Sequence, residues 1–548
     1  MQINRFKTSF AANIFRNKYA QGSNDTWDAL AERLVEDVCG SRWGTVAPLM
    51  SEGDRSQLTE YIKTMRFLPG GRYLYYAGRP AKFYNNCYLL RSEEDTRQDW
   101  ADTAWKATNC LTTGGGIGND YSRLRPSGKP LSRTGGTSSG PIPLMSAINE
   151  IGRSVMQGGS RRSAIYASLN WLHEDIPDFL KVKNWSDDVK AAKAKDFNFP
   201  AMLDMTNISI NYDDKWLYNA DRSNLHTFKE NCRQAMMTGE PGFSFNFGDK
   251  QDETLRNACT EVTSEDDSDV CNLGSINLGN IQSLEEFRDV VTLASKFLVC
   301  GTLRADLPYE KVYTVRQKNR RLGLGLMGIH EWLLQQKAGY EVTEELHQWL
   351  KVYKDESKRA ADEHCNHLYI SNPVAYRAIA PTGSIGILAG TTTGIEPLFA
   401  VAYKRRYLTD GTKWKYEYVV DSTADTLIKQ HGLDPDTIDT AYKLSHNYEQ
   451  RIAFQADIQD YVDMSISSTI NLPSWGTKDN CEDTVQRFTN CLSQYAPRLR
   501  GFTCYPDGSR GGQPLTEVSY SEAMKHKGTV YEENDICSIS GKGGTCGS

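Results

Sequence analysis

The chain has 548 residues, 39% of them hydrophobic and 24% charged, and can bury a core larger than one ordinary domain needs. A formal net charge of -6 and a pI near 5.9 exclude the overall basic field that holds nucleic acid through its phosphates. The first residues contain no apolar stretch of signal-peptide length, and nowhere do about 18 apolar residues follow one another, so a cytoplasmic protein without a membrane partner is expected.

From Trp27 to Arg66 the apolar residues Leu30, Leu34, Val38, Leu58, Ile62 and Met65 recur at helical spacing in a polar background. The pattern predicts amphipathic helices packed on a larger body. Turn-forming Pro69, Gly70 and Gly71 follow, then an apolar run, Cys87 to Leu90, that predicts a buried strand. Helices are predicted at 102–111 and 142–156. They are joined to their surroundings by glycine-rich connections at 113–118 and 157–163, which can bring backbone amides to a ligand. The GGGIGND run lacks the spacing and the following acidic residue of a dinucleotide fingerprint.

Short strands are predicted at 243–247, 270–276, 378–380 and 501–505, and longer helices at 322–336 and 346–369. This alternation implies an α/β architecture with a closed or doubly wound sheet. The polar, glycine-rich end from about Val530 reads as a mobile tail.

Thirteen cysteines in a chain without an export signal argue against a disulfide framework, and no zinc-type spacing is present, so no metal site is expected. Cys39, Cys110, Cys232, Cys300, Cys365, Cys481 and Cys491 are read as small buried hydrophobes. The segment Asn257-Ala258-Cys259-Thr260-Glu261 is different. In extended backbone its amide, thiol and carboxylate would share one face. Taken alone, the pattern is better read as a strand of alternating polar residues beside a buried cysteine than as a catalytic site.

The context of that segment adds Asn86-Cys87; Gly116-Ile117-Gly118 leading to Arg123-Leu124-Arg125; Gln157-Gly158-Gly159-Ser160-Arg161; and Gly239-Glu240-Pro241-Gly242-Phe243. After it come Cys271-Asn272-Leu273-Gly274-Ser275; Arg320-Arg321-Leu322-Gly323-Leu324-Gly325; Pro381-Thr382-Gly383-Ser384; and Gly394-Ile395-Glu396-Pro397. In these motifs and their order, the chain resembles the catalytic subunit of ribonucleotide reductases of classes I and II. The resemblance implies a ten-stranded α/β barrel over 67–529 with a central finger loop carrying Cys259. A small helical segment (1–66, without an ATP cone) would precede it and a redox tail (530–548) would follow. It also implies that Cys259 holds a thiyl radical, Glu261 is general base, Asn257 positions the sugar hydroxyls, and Cys87 and Cys271 supply two electrons. Asn86 and the loop Pro381, Thr382, Gly383 and Ser384 would bind substrate, the loop holding its phosphates.

By the same resemblance Cys537 and Cys546 would re-reduce the barrel disulfide, served by a thioredoxin- or glutaredoxin-like reductant. Asp95, Arg123, Arg133, Gln157 and Arg161 would bind and relay a dNTP or ATP effector at a homodimer interface. Tyr505 is the radical-transfer candidate. Cys504 stands where class I enzymes carry the first of two tyrosines, which favours adenosylcobalamin over a ferritin-like metal subunit as the radical source. A non-catalytic nucleotide-binding regulator on the same fold would have lost Cys87, Asn257, Cys259, Glu261 and Cys271, which are all present. A glycyl-radical enzyme would need a glycine loop near the C-terminus, and none is recognised.

Overall fold

The structure, a computed structural model, describes residues 5–41, 47–155, 163–196, 199–409, 413–507, 515–526 and 529–532. The first barrel half is five parallel strands: β2 (Cys87–Arg91), β3 (Gly116–Asp120), β4 (Ile165–Asn170), β5 (Thr206–Tyr212) and β6 (Gly242–Phe245), after a short β1 (Phe67–Pro69). A finger loop enters next, its base being the antiparallel pair β7 (Leu255–Arg256) and β8 (Thr263–Ser264). The second half contains β9 (Asp269–Asn277), β10 (Leu322–Met327), β13 (Thr469–Leu472) and β14 (Gly501–Pro506).

The halves run in opposite directions and close on each other. β9 is antiparallel to β2 and parallel to β10, while β14 is antiparallel to β6 and parallel to β13. Between β10 and β13 the ring is completed by parallel bridges Leu324–Arg377 and Ile379–Ile466, so the segment around 377–379 acts as the tenth strand. This is the closed alternative of the α/β expectation.

The strand sequences explain which face meets the finger. In β2 the outward Tyr88 and Leu90 join the core under the helices, while Leu89 joins an inner cluster with Leu255 and Val262 of the finger. In β10 the outward Leu322, Leu324 and Leu326 enter the other large core and leave Gly323 and Gly325 facing inward. The Leu-Gly alternation therefore has period two. The expected helix at 322–336 is instead β10 followed by the helix Ile329–Gln335.

The N-terminal helices Trp27–Cys39 and Glu52–Lys63 are as expected, and Leu30, Leu34, Val38, Leu58, Ile62 and Met65 are all buried. The helices Arg97–Thr112, Ile142–Ser154 and Glu344–His367 match three further predictions within a turn or two. Beside the barrel lies a four-stranded sheet in the order β15 (Leu515–Glu517), β11 (Ala402–Thr409), β12 (Lys413–Val420), β16 (Val530–Glu532). Val530–Glu532, expected to open the mobile tail, is thus a strand paired with β12. Of the cysteines read as buried hydrophobes, Cys39, Cys110, Cys232, Cys300 and Cys365 are buried, whereas Cys481 and Cys491 are only half-buried. Cys481 caps the turn Glu482–Thr484, which keeps it at the surface. Among the described residues no helix is long and apolar enough to cross a membrane.

Candidate active site

The finger tip is a turn and not the extended segment expected from the Asn-x-Cys-x-Glu spacing. Thr260 adopts φ +71°, and its N–H donates to the Asn257 carbonyl at 3.0 Å. The Asn257 side-chain oxygen accepts from the Val262 N–H at 2.9 Å, folding the loop back on itself. Asn257 and Glu261 are thereby buried, while Cys259 at the apex stays partly open.

Why the finger fits here is written in β3. A Cβ at Gly118 would overlap the Arg256 carbonyl, and one at Gly116 would stand 3.2 Å from the Ala258 Cβ. The run Gly116-Ile117-Gly118 is therefore a strand whose inner face makes room for the loop, not a ligand-binding connection. The far side is held by the Ser465 N–H, which donates to the Glu261 carbonyl at 2.8 Å. Near the apex, Asn207 at the start of β5 donates to the Ala258 carbonyl at 3.3 Å.

Buried charges clamp the base of the finger. Asp269 accepts from Arg321 Nε at 2.8 Å, from Asn319 at 2.8 Å and from the Ser264 hydroxyl at 2.6 Å. Glu253 pairs with Arg500 at 3.0 Å and Arg321 at 3.4 Å. Burial opposes its charge, but Arg321, Arg500 and Lys250 together hold its carboxyl down at about 2. Arg256 is wholly buried and bonds Asn246 at 2.6 Å and the Arg500 carbonyl at 3.1 Å. None of these clamp residues except Arg321 lay in a recognised motif; two acids and three arginines scattered over the sequence carry no local signature.

The electrostatics at the tip run the other way. Burial pushes the Glu261 carboxyl up to about 7, only partly offset by its own backbone N–H and by the nearby Asn257 amide, which does not reach hydrogen-bond geometry with it. Glu261 Oε2 and Asn257 Nδ2 are both buried without a hydrogen-bond partner. Unmatched polar atoms in a buried site are costly unless a ligand completes them. An acceptor and a donor thus await a polar partner beside the Cys259 thiol.

The backbone register sets Cys87 of β2 directly opposite Cys271 of β9. Positions so paired have Cα atoms about 4.5–5.5 Å apart, within the span a disulfide bridges. Cys87 is buried. Asn86 lies over Gly70, since a Cβ there would stand 2.7 Å from its amide nitrogen, and the Asn86 carbonyl accepts from the Gly116 N–H at 2.8 Å.

In the loop Pro381–Ser384, Thr382 has φ +49° and its buried hydroxyl accepts from the Gly394 N–H at 2.8 Å. That bond ties the loop to Gly394-Ile395-Glu396-Pro397 and uses an atom expected to face phosphate. Pro381 and Gly383 are exposed and Ser384 is partly so. Tyr505 shares a face of β14 with Thr503, opposite Phe502 and Cys504, which belong to the core under the helices. Burial pushes the Cys504 thiol far up.

Arg123 and Arg133 are exposed. Asp95 is engaged by Arg125, which the sequence reading placed in a motif without giving it an effector role. Gln157, Arg161, Cys537, Cys546 and the Cys271 side chain lie outside the described residues. Among the described residues no group of His, Cys, Asp and Glu side chains is arranged to hold a metal.

The sequence matches the family model "Ribonucleotide reductase, barrel domain" over residues 85–206, 227–353 and 371–496, more than half the chain. This chain belongs to the ribonucleotide reductase family. The reductase is 26% identical over 568 residues to the vitamin B12-dependent ribonucleoside-diphosphate reductase of Mycobacterium tuberculosis (strain CDC 1551 / Oshkosh), covering 92% of this chain and 78% of that relative. Its fold is like that of a solved B-12 dependent (class II) ribonucleotide reductase, with a TM-score of 0.71 at 16% identity over 95% of this chain and 94% of the other. It is equally like the class Id ribonucleotide reductase alpha subunit of Actinobacillus ureae, with a TM-score of 0.71 at 16% identity over 92% and 98%. The ten-member closed ring and its finger are the fold of this reductase, and the chain is an oxidoreductase.

Proposed function

We propose that this reductase converts ribonucleoside diphosphates to 2′-deoxyribonucleotides by thiyl-radical chemistry at Cys259, with adenosylcobalamin as the radical source. The observation that carries the reading is the finger tip: a partly open thiol flanked by a buried amide donor and carboxylate acceptor that lack partners. The Cys259 sulfur takes the 3′-hydrogen atom of the ribose. Glu261 accepts the 3′-hydroxyl proton and Asn257 donates to a sugar hydroxyl, so both unmatched atoms are completed by substrate. The 2′-hydroxyl leaves as water. Cys87 and Cys271 give two electrons and two protons in forming a disulfide, and Cys259 returns the hydrogen atom to C3′. Asn86, Pro381, Thr382, Gly383 and Ser384 would hold the nucleotide, with the exposed Gly383 amide and Ser384 hydroxyl toward phosphate.

The residues present fit adenosylcobalamin. Cys259 is open at the tip, and Cys504 lies in the outer core, so no pair of phenols serves a relay at positions 504 and 505. Asn207, whose amide donates to the Ala258 carbonyl next to Cys259, and Tyr505 would border the group. When bound it supplies the radical that removes the Cys259 hydrogen. The M. tuberculosis relative, named a vitamin B12-dependent ribonucleoside-diphosphate reductase, supports both choices. Cys537 and Cys546 would then pass electrons from a thioredoxin- or glutaredoxin-like protein. Asp95 with Arg125, Arg123 and Arg133 would meet a dNTP effector, relayed by Gln157 and Arg161 at a homodimer interface.

Purified protein is assayed with dithiothreitol, a dNTP effector, and CDP or CTP, with and without adenosylcobalamin. Turnover of CDP with adenosylcobalamin alone is expected, and Cys259→Ser should abolish it while nucleotide binding persists. Turnover that needs a ferritin-like metal subunit instead would assign the other radical source, and turnover by Cys259→Ser would overturn the thiyl assignment.

A further inference from the structure

Outside the barrel interior a second group of thiols meets across a helix interface. Cys39 ends the helix Trp27–Cys39, and Cys300 lies in the helix Leu284–Arg304 packed against it. Both side chains are fully shielded from solvent in one core cluster, and the two thiols influence each other's protonation across the interface. On the other side of Cys300, the His364 Nε2 of the helix Glu344–His367 stands 3.4 Å from the sulfur. The adjoining turn is fixed too, because Arg304 donates to the Gly40 carbonyl at 2.9 Å.

Burial acts on both thiols, and by itself it would raise both. Their environments divide them. At Cys300 the Cys39 S–H, the His364 ring and Arg304 outweigh burial and draw the thiol below its ordinary range, while Cys39 is driven above it. Cys300 is therefore the sulfur that gives up its proton and Cys39 the one that keeps it. Arg304 also lines a surface cleft of about 320 Å³ with Glu36, Asp37, Gly78, Arg79 and Lys82, which brings solvent to the edge of this interface.

We propose that Cys39 and Cys300 are a peroxide-oxidisable dithiol, separate from the barrel thiols, that closes to a disulfide joining the N-terminal helix to the barrel's outer layer. The Cys300 thiolate attacks one oxygen of hydrogen peroxide, the O–O bond breaks, and with one proton a water leaves, giving a sulfenic acid on Cys300. The Cys39 sulfur then attacks Cys300, the S–O bond breaks, and the Cys39 proton departs with the hydroxyl as a second water. Two thiols lose two electrons and peroxide gains them. His364 takes the Cys300 proton and returns it to the leaving oxygen. Because the sulfurs are covered, the oxidant is a small peroxide and not a bulky disulfide.

The full chain is treated under native conditions with hydrogen peroxide or with glutathione disulfide, alkylated, digested and mapped by mass spectrometry. The expected result is a dithiothreitol-reversible peptide pair containing Cys39 and Cys300 in most molecules after peroxide, with little after glutathione disulfide. His364→Gln should slow its formation at least fivefold. Cys300→Ser should remove it, and Cys39→Ala should leave Cys300 as a trapped sulfenic acid that dimedone labels. If half-buried Cys481 and Cys491 are oxidised while Cys39 and Cys300 of the wild-type chain remain alkylatable, the proposal is wrong. A Cys300–Cys365 link in place of Cys39–Cys300 overturns it as well.

Discussion

The proposed base, Glu261, sits in a turn that shields its carboxyl from water. Its carboxyl, at about 7, stays protonated over a range in which an unfolded chain's glutamate is ionised. Between pH 4.5 and about 7 the native state holds the extra proton, so stability falls as pH rises through this window and levels off above it. The shift corresponds to roughly 3 kcal/mol at most. Glu261→Gln should lack this loss, so urea midpoints of the variant and wild type, close at pH 5, should separate at pH 8 with the variant higher. If Glu261 is the base, kcat/KM of the wild type should rise with pH to a plateau through an apparent pKa near 7. A flat profile there would remove Glu261 from that role.

At the scale of elements, the finger depends on what β3 omits. Gly118→Ala puts a methyl group into the Arg256 carbonyl, which is backbone and cannot rotate away. Overpacking of this kind costs about 1–3 kcal/mol. The larger effect should fall on turnover, since a displacement of about 1 Å at the reacting atoms can cost about 100-fold. Gly118→Ala should therefore lose about 100-fold in kcat while melting only a few degrees lower; near-normal turnover would show that the finger's seat on β3 does not position Cys259. The same glycines show how far the sequence could be read. Gly116-Ile117-Gly118 was legible as a motif, but its physical use, clearance for a loop that arrives some 140 residues later, depends on a contact that no local pattern contains. Leu322 to Met327 misled for a related reason: leucines at every second position also occupy part of a helical face, and only burial on both sides of the sheet makes the period two decisive. By contrast Asn257, Cys259 and Glu261 were legible because the three lie within five residues of one turn, whereas the charges of the clamp at Glu253, Asp269, Arg321 and Arg500 are assembled from distant segments.

For the whole molecule, the division into a helical segment 1–66 and a barrel from 67 is a division of sequence and not of core. Trp27, Leu30, Leu34, Val38, Leu58 and Ile62 share one continuous cluster with Ile276, Phe297 and Met327 of the barrel layer. Trp27 also donates from its ring nitrogen to the Ile62 carbonyl at 3.1 Å, and its ring meets Phe15 edge-on. An accessory domain would have its own core and a small polar boundary; this segment has neither. Removing residues 1–66 should therefore expose the outer face of the helix Leu284–Arg304 and leave the barrel unable to fold to a soluble, cooperatively melting protein. Trp27→Ala is the milder version, expected to cost about 3–5 kcal/mol as a large aromatic lost from a closed core. Calorimetry of the intact chain should give no early transition belonging to the N-terminal helices alone, and the Trp27→Ala chain should shift the transition that includes the barrel. A soluble, active chain lacking residues 1–66 would show instead that the barrel half of this core is sufficient and that the helices only cover it.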